Sequence, residues 1–332
     1  MTAAGEPFGE SSGVRVLRCP LVTPPASGDV ARRVRNVSFA MASAPALLAE
    51  AVSFNPDIVG ALTPSAAAAS SAIAAARFAS VPAWLHLEEG GEPLGIETMF
   101  QLVSCAAFDA EAQLEARGVT VEAGLPLPAW VDTFAILPAD EPSALRDALV
   151  RADEILALYV GECDEAAARI LIEAARLVPP HGAIRFIAAG TGPGLMSLIQ
   201  ATSDLPQLAV LSLPPPGALG AVLACADIHL LPEGFGKPDP RIAGKFAALL
   251  ASGRPVVACG AGSALPAPVQ DAVTSVRSSG EDMALAIIAL AADAAQRARR
   301  GLAARFAAES YFAKERAFRT LERRLERLTG HG

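Results

Sequence analysis

The chain has 332 residues, of which 52% are hydrophobic and 19% are charged, and its formal net charge is −8. This length and composition predict a folded protein with room for two domains, and they exclude a disordered chain. The negative charge gives no electrostatic support to a nucleic-acid-binding role.

The cysteine pattern and the N-terminal segment bear on the cellular compartment. Five cysteines are scattered singly, without a Cys-x-x-Cys pair or a cluster with histidine. This spacing argues against a metal site and against a disulfide framework, and it fits a reducing cytoplasm. The Gly/Ser/Glu-rich start, residues 1–12, lacks the basic and apolar regions of a secretory signal. We find no window with the ~20 apolar residues of a transmembrane helix, so we expect a cytoplasmic protein.

The first half of the chain alternates predicted strands with predicted helices. The strands are predicted at 14–17, 57–62, 81–87 and 99–104, and the helices at 29–52, 63–78 and 108–117. Alternation of this kind is typical of βαβ units that build a parallel sheet.

A proline-rich stretch, residues 126–153, is the predicted hinge, and a second series of strands and helices follows it. Those strands are predicted at 155–160, 184–189, 208–213, 228–231, 255–258 and 273–276, with a helix at 164–177. A charged last helix, residues 310–328, carries an apolar stripe of Phe312, Phe318, Leu321 and Leu325.

Two doubly wound series joined by a hinge predict an α/β fold with two Rossmann-like parallel-sheet domains. We place a flexible lead-in at 1–12, a first domain at 13–145, a second domain at 146–309 and a C-terminal helix at 310–332.

Residues 228–258 read as a buried strand, a polar loop, a short helix and a second buried strand. This passage resembles the donor-sugar loop of glycosyltransferase family four, in particular the colanic-acid and O-antigen branch. There, Leu-Leu-Pro is followed by a loop Asp, by Pro-Ser-Lys-Leu and by Leu-Ala-Ser-Gly-Arg-Pro-Val-Val-Ala. Shorter matches occur in the family's order at 13–20, 55–59, 84–89 and 129–132.

The resemblance implies a GT-B glycosyltransferase of polysaccharide biosynthesis. Such an enzyme moves a sugar from a nucleotide-diphosphate sugar to a lipid-linked or saccharide acceptor, with retention and without a metal or other cofactor. In the GT-B fold the terminal helix returns to the first domain.

The chain also departs from the family pattern. Family members begin with two further βα units and a Gly-rich loop, so the first domain is shortened here. The family's Gly-Asn-x-Gly-x-Lys turn stands as Gly161-Glu-Cys-Asp-Glu165, with acids in place of the lysine. Glu233-Gly-Phe-Gly resembles a two-glutamate motif of the wider family, but it lies too far upstream. We therefore interpret that match as coincidental.

The resemblance places the donor at six residues of the second domain. They are Gly161, Gly190, Gly192, Leu213, Asp239 and Lys245. Without a metal, a leaving diphosphate needs cations, backbone amides or helix N-termini, and Lys245 is the predicted cation. Each assignment has an ordinary alternative: Lys245 is solvated, Asp239 belongs to a turn between two prolines, and the Gly-x-Gly sequence closes a tight strand-to-helix turn.

His86 and Glu89 are the predicted acceptor-side residues of the first domain. Both lie near the carboxyl end of a strand, and Glu89 takes the place of the aspartate in the family's His-x-x-Asp. A carboxylate there could accept or position the acceptor's hydroxyl proton. The alternatives are a hydrogen-bonded core histidine for His86 and a solvated acidic turn for Glu89.

The helix at 29–52 offers a possible peripheral membrane contact. Three arginines, Arg32, Arg33 and Arg35, precede Phe39 and Met41, and such a helix could touch anionic lipid. Because the whole chain is acidic, we favour a solvated helix start.

Two other functions stay open. A non-catalytic GT-B-like binding or scaffold protein would explain the shortened first domain and the acids at 162–165. A sugar-nucleotide epimerase or hydrolase would share the same donor pocket.

Overall fold

The structure, a computed structural model, divides the chain into two compact units. The first comprises residues up to Leu127 together with those from Arg319 onward, and the second comprises Pro128–Phe318. The domain boundaries predicted from the sequence, at 145 and 309, stay a prediction. The description covers residues 16–25, 28–62, 65–88, 93–107, 110–127, 129–139, 144–179, 183–233, 240–260, 265 and 267–330.

A four-stranded parallel sheet forms the first unit. Its elements are α1 (Asp29–Phe54), β1 (Val59–Leu62), α2 (Ala66–Ala79), β2 (Ala83–Glu88), β3 (Leu102–Ala106), α3 (Ala110–Ala116) and β4 (Gly124–Leu127). The strand order is β1-β2-β3-β4. Leu85, Val103 and Cys105 are fully buried and lie in one core with alanines of α2.

Two predictions for this unit need correction. The strand predicted at 14–17 lies partly outside the described residues, and its described part, Val16 and Leu17, is exposed coil. The strand β4 was not predicted, because Gly124 and Pro126 are residue types that are depleted in strands.

The second unit contains a six-stranded parallel sheet. Its elements are α4 (Ala144–Leu149), β5 (Ile155–Glu162), α5 (Glu165–Leu177), β6 (Ile184–Thr191), α6 (Leu195–Ala201), β7 (Leu208–Ser212), α7 (Pro216–Ala224), β8 (Ile228–Leu231), α8 (Pro240–Ala251), β9 (Val256–Cys259), α9 (Ala267–Gln270), β10 (Val273–Val276), α10 (Gly280–Ala292) and α11 (Ala294–Ala307). The last helix, α12 (Lys314–Thr329), begins in this unit and ends in the first.

The strand order of this sheet is β10-β9-β8-β5-β6-β7. The order reverses between β5 and β8, so the connections on either side of this pair run in opposite directions. A reversal of this kind opens a crevice beyond the carboxyl ends of the two strands, where α/β proteins bind ligands. The predicted α/β class with two Rossmann-like parallel-sheet units is confirmed.

The last helix, α12, belongs to both units. Its first residues pack in the second unit, where Phe318 contacts the Trp130 ring at 5.2 Å between centroids. Farther along, Leu321, Leu325 and Leu328 pack against the first unit's sheet beside the buried Leu102. The helix begins at Lys314 rather than at 310, because residues Ala308–Phe312 form a π turn.

Helix α1 exposes an unusual amount of apolar surface. Among the residues that the structure describes, it is the one helix long and apolar enough to cross a membrane, by length and composition alone. Val30, Met41 and Val52 lie on one face and are 76%, 73% and 69% exposed. The helix meets this test because no charged residue lies between Arg35 and Glu50, although it contains no run of ~20 apolar residues.

Candidate ligand-binding site

A pocket of about 350 Å³ lies at the carboxyl ends of β5 and β8, where the strand order of the second sheet reverses. This volume falls at the small end of the range for ligand pockets, ~300–1,000 Å³. The walls are mostly aliphatic, with a few charged groups. The described residues lining it are Val160, Gly161, Glu162, Asp164, Leu213, Leu219, Leu223, Glu233, Ile242, Lys245, Ala248 and Leu249.

Lys245 reaches into this pocket from the second turn of α8. Its ammonium lies 2.6 Å from Oε1 of Glu233 and 4.0 Å from the centroid of the Tyr159 ring. Only 15% of the Lys245 side chain is exposed, so the residue is not the freely solvated lysine of the alternative interpretation. Both the carboxylate and the face of the aromatic ring stabilise the positive charge.

Gly161 makes room for that ammonium. Its φ is +141°, a value that side-chain-bearing residues rarely adopt, and a Cβ there would lie 3.1 Å from Lys245 Nζ. Any larger residue would be strained and would also push the lysine away. The glycine at the end of β5 therefore fixes where the cation can lie.

Glu233 follows β8, and its carboxylate contacts both Lys245 and Tyr159. The same Oε1 that contacts Lys245 also accepts a hydrogen bond of 2.6 Å from the Tyr159 hydroxyl. Glu233 Oε2 is buried and has no hydrogen-bond partner among the described residues. Burial, and next to it the Glu233 charge, raises the pKa of Tyr159 well above its usual value and that of the Cys163 thiol to about 12. Both groups are therefore neutral at physiological pH.

The N-terminus of α5 also faces this pocket, and it is capped by an acid. Asp164 Oδ1 accepts a hydrogen bond of 2.7 Å from the backbone amide of Ala167. Glu165 in the first turn contacts the Ser197 hydroxyl at 2.9 Å. Helix N-termini attract anions, so these carboxylates occupy a place where a phosphate could otherwise bind.

Gly190 and Gly192 lie close to neighbouring backbone. A Cβ on Gly190 would lie 2.2 Å from the carbonyl oxygen of Gly161, and a Cβ on Gly192 would lie 2.5 Å from that of Cys163. Gly190 thus lets the end of β6 approach Gly161 of β5, its partner in the sheet, and Gly192 lets the β6–α6 turn pack on the β5–α5 turn. Neither belongs to the described residues that line the pocket.

The structure therefore brings together three of the six predicted donor residues, Gly161, Leu213 and Lys245. Asp239 lies outside the described residues. Glu233, which the sequence analysis set aside, lies in the same pocket. Its proximity to the end of the buried strand β8 was the available signal, because ligands bind beyond the carboxyl ends of such strands.

His86 lies in the first unit, on β2, and Glu89 lies outside the described residues. His86 Nδ1 is 2.8 Å from the Ser104 hydroxyl, which also accepts a hydrogen bond of 2.9 Å from the Trp84 indole. The side chain is half-buried and lies on the sheet face opposite Leu85 and Leu87. Its surroundings are polar and ordered, which suits either a positioned functional histidine or a satisfied structural one.

The described residues contain no group of three or more His, Cys, Asp or Glu side chains placed to hold a metal ion. Within that part of the chain, the charged groups of the pocket are three carboxylates and the Lys245 ammonium. Among the described lining residues, Lys245 is therefore the side chain that can pair with an anionic ligand.

Comparison with known proteins defines the fold. No protein-family model matches the sequence, and no curated protein matches it significantly. HepE of Anabaena, solved with UDP, is similar in structure with a TM-score of 0.71 and 18% identity over 87% of this chain and 84% of that one. Sucrose-phosphate synthase of Thermosynechococcus elongatus has a TM-score of 0.77 and 15% identity over 99% and 86%.

A glycosyltransferase of Rickettsia africae has a TM-score of 0.70 and 13% identity, over 89% of this chain and 82% of that one. At such identities the likeness establishes the fold, namely the two Rossmann-like units of GT-B glycosyltransferases.

Proposed function

We propose that this protein is a glycosyltransferase that takes its sugar from a nucleotide-diphosphate donor, of the family-four type that serves exopolysaccharide or O-antigen synthesis. The pocket at the strand-order reversal, with Lys245 inside it, is the observation that carries the proposal. The sequence match over 228–258 and the HepE structure with UDP support it.

In the proposed reaction the bond between the sugar's anomeric carbon and the diphosphate breaks, and a bond to the acceptor oxygen forms. Lys245 is the group that stabilises the departing diphosphate, since it is the one cation among the described lining residues. The acceptor's hydroxyl proton must pass to a base. We assign the acceptor side to the first unit, with His86 as a candidate to position it.

The donor pocket can be tested by calorimetry with UDP and GDP. We expect Lys245→Met to weaken binding of the preferred nucleotide about tenfold or more, because the diphosphate loses its cation in a poorly solvated pocket. Lys314→Met is the matched control: Lys314 is 39% exposed and pairs with Asp132, and it does not line the pocket. Failure of wild-type protein to bind either nucleotide at millimolar concentration would refute the proposal.

A non-catalytic binding protein is the second candidate, and the three carboxylates of the pocket favour it. Anionic walls weaken a diphosphate complex unless a cation compensates. Nucleotide binding without consumption of UDP-glucose or another nucleotide sugar, with any acceptor, would support this candidate against the enzyme.

We also propose that the acceptor is lipid-linked and that α1 contacts the inner membrane surface. Its exposed apolar face and the exposed Arg33 and Arg35 support this. In a flotation assay, vesicles containing phosphatidylglycerol should carry the wild type but not Met41→Glu. Leu302→Glu is the control, since Leu302 on α11 is 75% exposed and belongs to the other unit. Equal flotation of both variants would contradict the contact.

A further inference from the structure

The pocket has two positive features among its described residues, and both already face a carboxylate. Lys245 Nζ lies 2.6 Å from Glu233, and Asp164 caps the N-terminus of α5 through the amide of Ala167 at 2.7 Å. A phosphate that enters must compete with the chain's own acids for each of them. This competition is strongest at Lys245, because 85% of the side chain is shielded from water.

Glu233 has a second anchor that does not depend on the lysine. The Tyr159 hydroxyl lies 2.6 Å from the same carboxylate oxygen and 2.8 Å from the Glu162 carbonyl oxygen, so two acceptors share its one proton. Tyr159 is itself buried in the sheet. When Lys245 leaves, the carboxylate therefore keeps a donor and can stay where it is. The lysine, on its flexible four-carbon stem, is the partner that can move.

We propose that Glu233 competes with the ligand's phosphate for Lys245. Its carboxylate pairs with the ammonium when no ligand is bound, and it is displaced only by an anion of higher charge than its own, such as a diphosphate. The inference rests on the proposed function, since it assumes that a diphosphate enters this pocket. It makes Glu233 a residue that sets specificity: a diphosphate exchanges places with the carboxylate at Lys245, whereas a nucleoside without phosphate does not.

The test is the affinity of Glu233→Gln for UDP, GDP, inorganic pyrophosphate and uridine, measured by calorimetry. Glutamine keeps the size of the side chain and can still accept from Tyr159, but it offers the ammonium a neutral amide oxygen in place of a carboxylate. We expect about fivefold to tenfold tighter binding of the preferred nucleotide diphosphate and of pyrophosphate, because less interaction must be broken at Lys245. Binding of uridine should not change.

Glu162→Gln is the matched control. Glu162 lines the same pocket, so the substitution removes the same charge and leaves the Glu233–Lys245 pair intact. We expect a gain of about twofold or less from it. In a Lys245→Met background, Glu233→Gln should give no gain, since there is no lysine to release.

Tyr159→Phe provides a second measurement that does not depend on the folding of Glu233→Gln. Without the tyrosine hydroxyl, Glu233 depends more strongly on Lys245, so UDP should bind about twofold to threefold more weakly than to wild type. Stronger or unchanged binding would overturn the inference.

The other outcomes are equally decisive. Equal or weaker binding by Glu233→Gln, an equal gain in Glu162→Gln, or a gain that persists without Lys245 would each overturn it. If wild type binds UDP normally and Glu233→Gln shows no gain, this inference alone fails. If no variant and no wild-type sample binds nucleotide or pyrophosphate, the proposed function fails with it.

Discussion

The two parallel sheets of this chain differ in how their strands are ordered. The described strands of the first sheet follow the order of the chain, β1 to β4, whereas the second sheet reverses between β5 and β8. The pocket with Lys245 and Glu233 lies at that reversal. In the first unit, the feature that stands out is the exposed apolar face of α1.

The first unit also holds a pocket, of about 520 Å³, but that pocket lies between α1 and β1 and not at the carboxyl ends of the strands. Strand order thus decides whether a crevice opens at the carboxyl edge of a sheet. Both sheets are parallel and apolar, and both carry polar residues near the carboxyl ends of their strands. In the second unit, the helices on either side of β5 and β8 diverge and leave space between them. Substitutions that act on one unit at a time test this difference.

The largest effect should come from Gly190→Ala in the second unit. The added methyl group would lie 2.2 Å from the Gly161 carbonyl oxygen, so β5 and β6 must separate where these two residues pair. We expect a loss of about 3 kcal/mol or more in the free energy of unfolding, measured with urea. Trp130 lies in the second unit and Trp84 in the first, so single-tryptophan variants report each unit separately.

Gly244→Ala on α8 is the control for this substitution. No atom lies within 4 Å of the position of its added Cβ, so the alanine should stabilise the helix by about 0.5–1 kcal/mol. A Gly190→Ala protein as stable as wild type would show that the two turns are not packed as described.

A pH effect of intermediate size should come from His229 in the second sheet. Its Nε2 is 2.9 Å from Ser252 Oγ, whose own proton goes to the Leu249 carbonyl, so the imidazole must donate through Nε2. Nδ1 is buried without a hydrogen-bond partner in the described part of the chain. Burial, and next to it the charge of Arg254, lowers the pKa of His229 to about 3.

At pH values between this folded-state pKa and the pKa of about 6.5 that His229 has in the unfolded chain, the imidazole is protonated only in the unfolded state. Stability is therefore complete above about pH 6.5, and it falls with pH by about 1.4 kcal/mol per unit until the folded pKa is reached. Lowering the pH from 6.5 to 5 should cost about 2 kcal/mol through this residue. Unfolding titrations at both pH values should show this loss in wild type and a smaller one in His229→Leu.

Ser252→Ala separates the titration from the hydrogen bond, since it removes the bond and keeps the imidazole. It should lower stability at every pH and keep the steep dependence. If His229→Leu shows the same slope as wild type, the buried histidine is not what couples stability to pH.

Much of the second unit could be predicted from the sequence. Strands such as β5 and β6 read as continuous apolar runs, and the position of Lys245 beyond a buried strand indicated a ligand site. The role of Glu233 could not be predicted, because its hydrogen-bond partner Tyr159 lies 74 residues earlier. The sequence also cannot tell whether the missing side chain of Gly190 makes room for a ligand or for neighbouring backbone.

The first unit was harder to predict, for physical reasons of its own. Its strand β4, Gly-Leu-Pro-Leu, is short and contains two residue types that are rare in strands. The sequence shows that the middle of α1 lacks charged residues, and only the structure shows that its apolar face is exposed. An amphipathic pattern predicts that one face is apolar, and it does not predict what covers that face.

The smallest effect should come from Leu325→Ala on α12, which acts on the first unit. The leucine is half-buried against Leu102, Leu125 and Leu127, so its truncation removes part of one apolar contact. We expect a loss of about 1 kcal/mol in the unfolding followed by Trp84, in a Trp130→Phe background. Leu302→Ala is the control, because Leu302 is 75% exposed and should change stability by less than about 0.5 kcal/mol. If Leu325→Ala instead lowers the stability reported by Trp130 as much as that reported by Trp84, the units unfold together, and the contrast between them holds for architecture but not for stability.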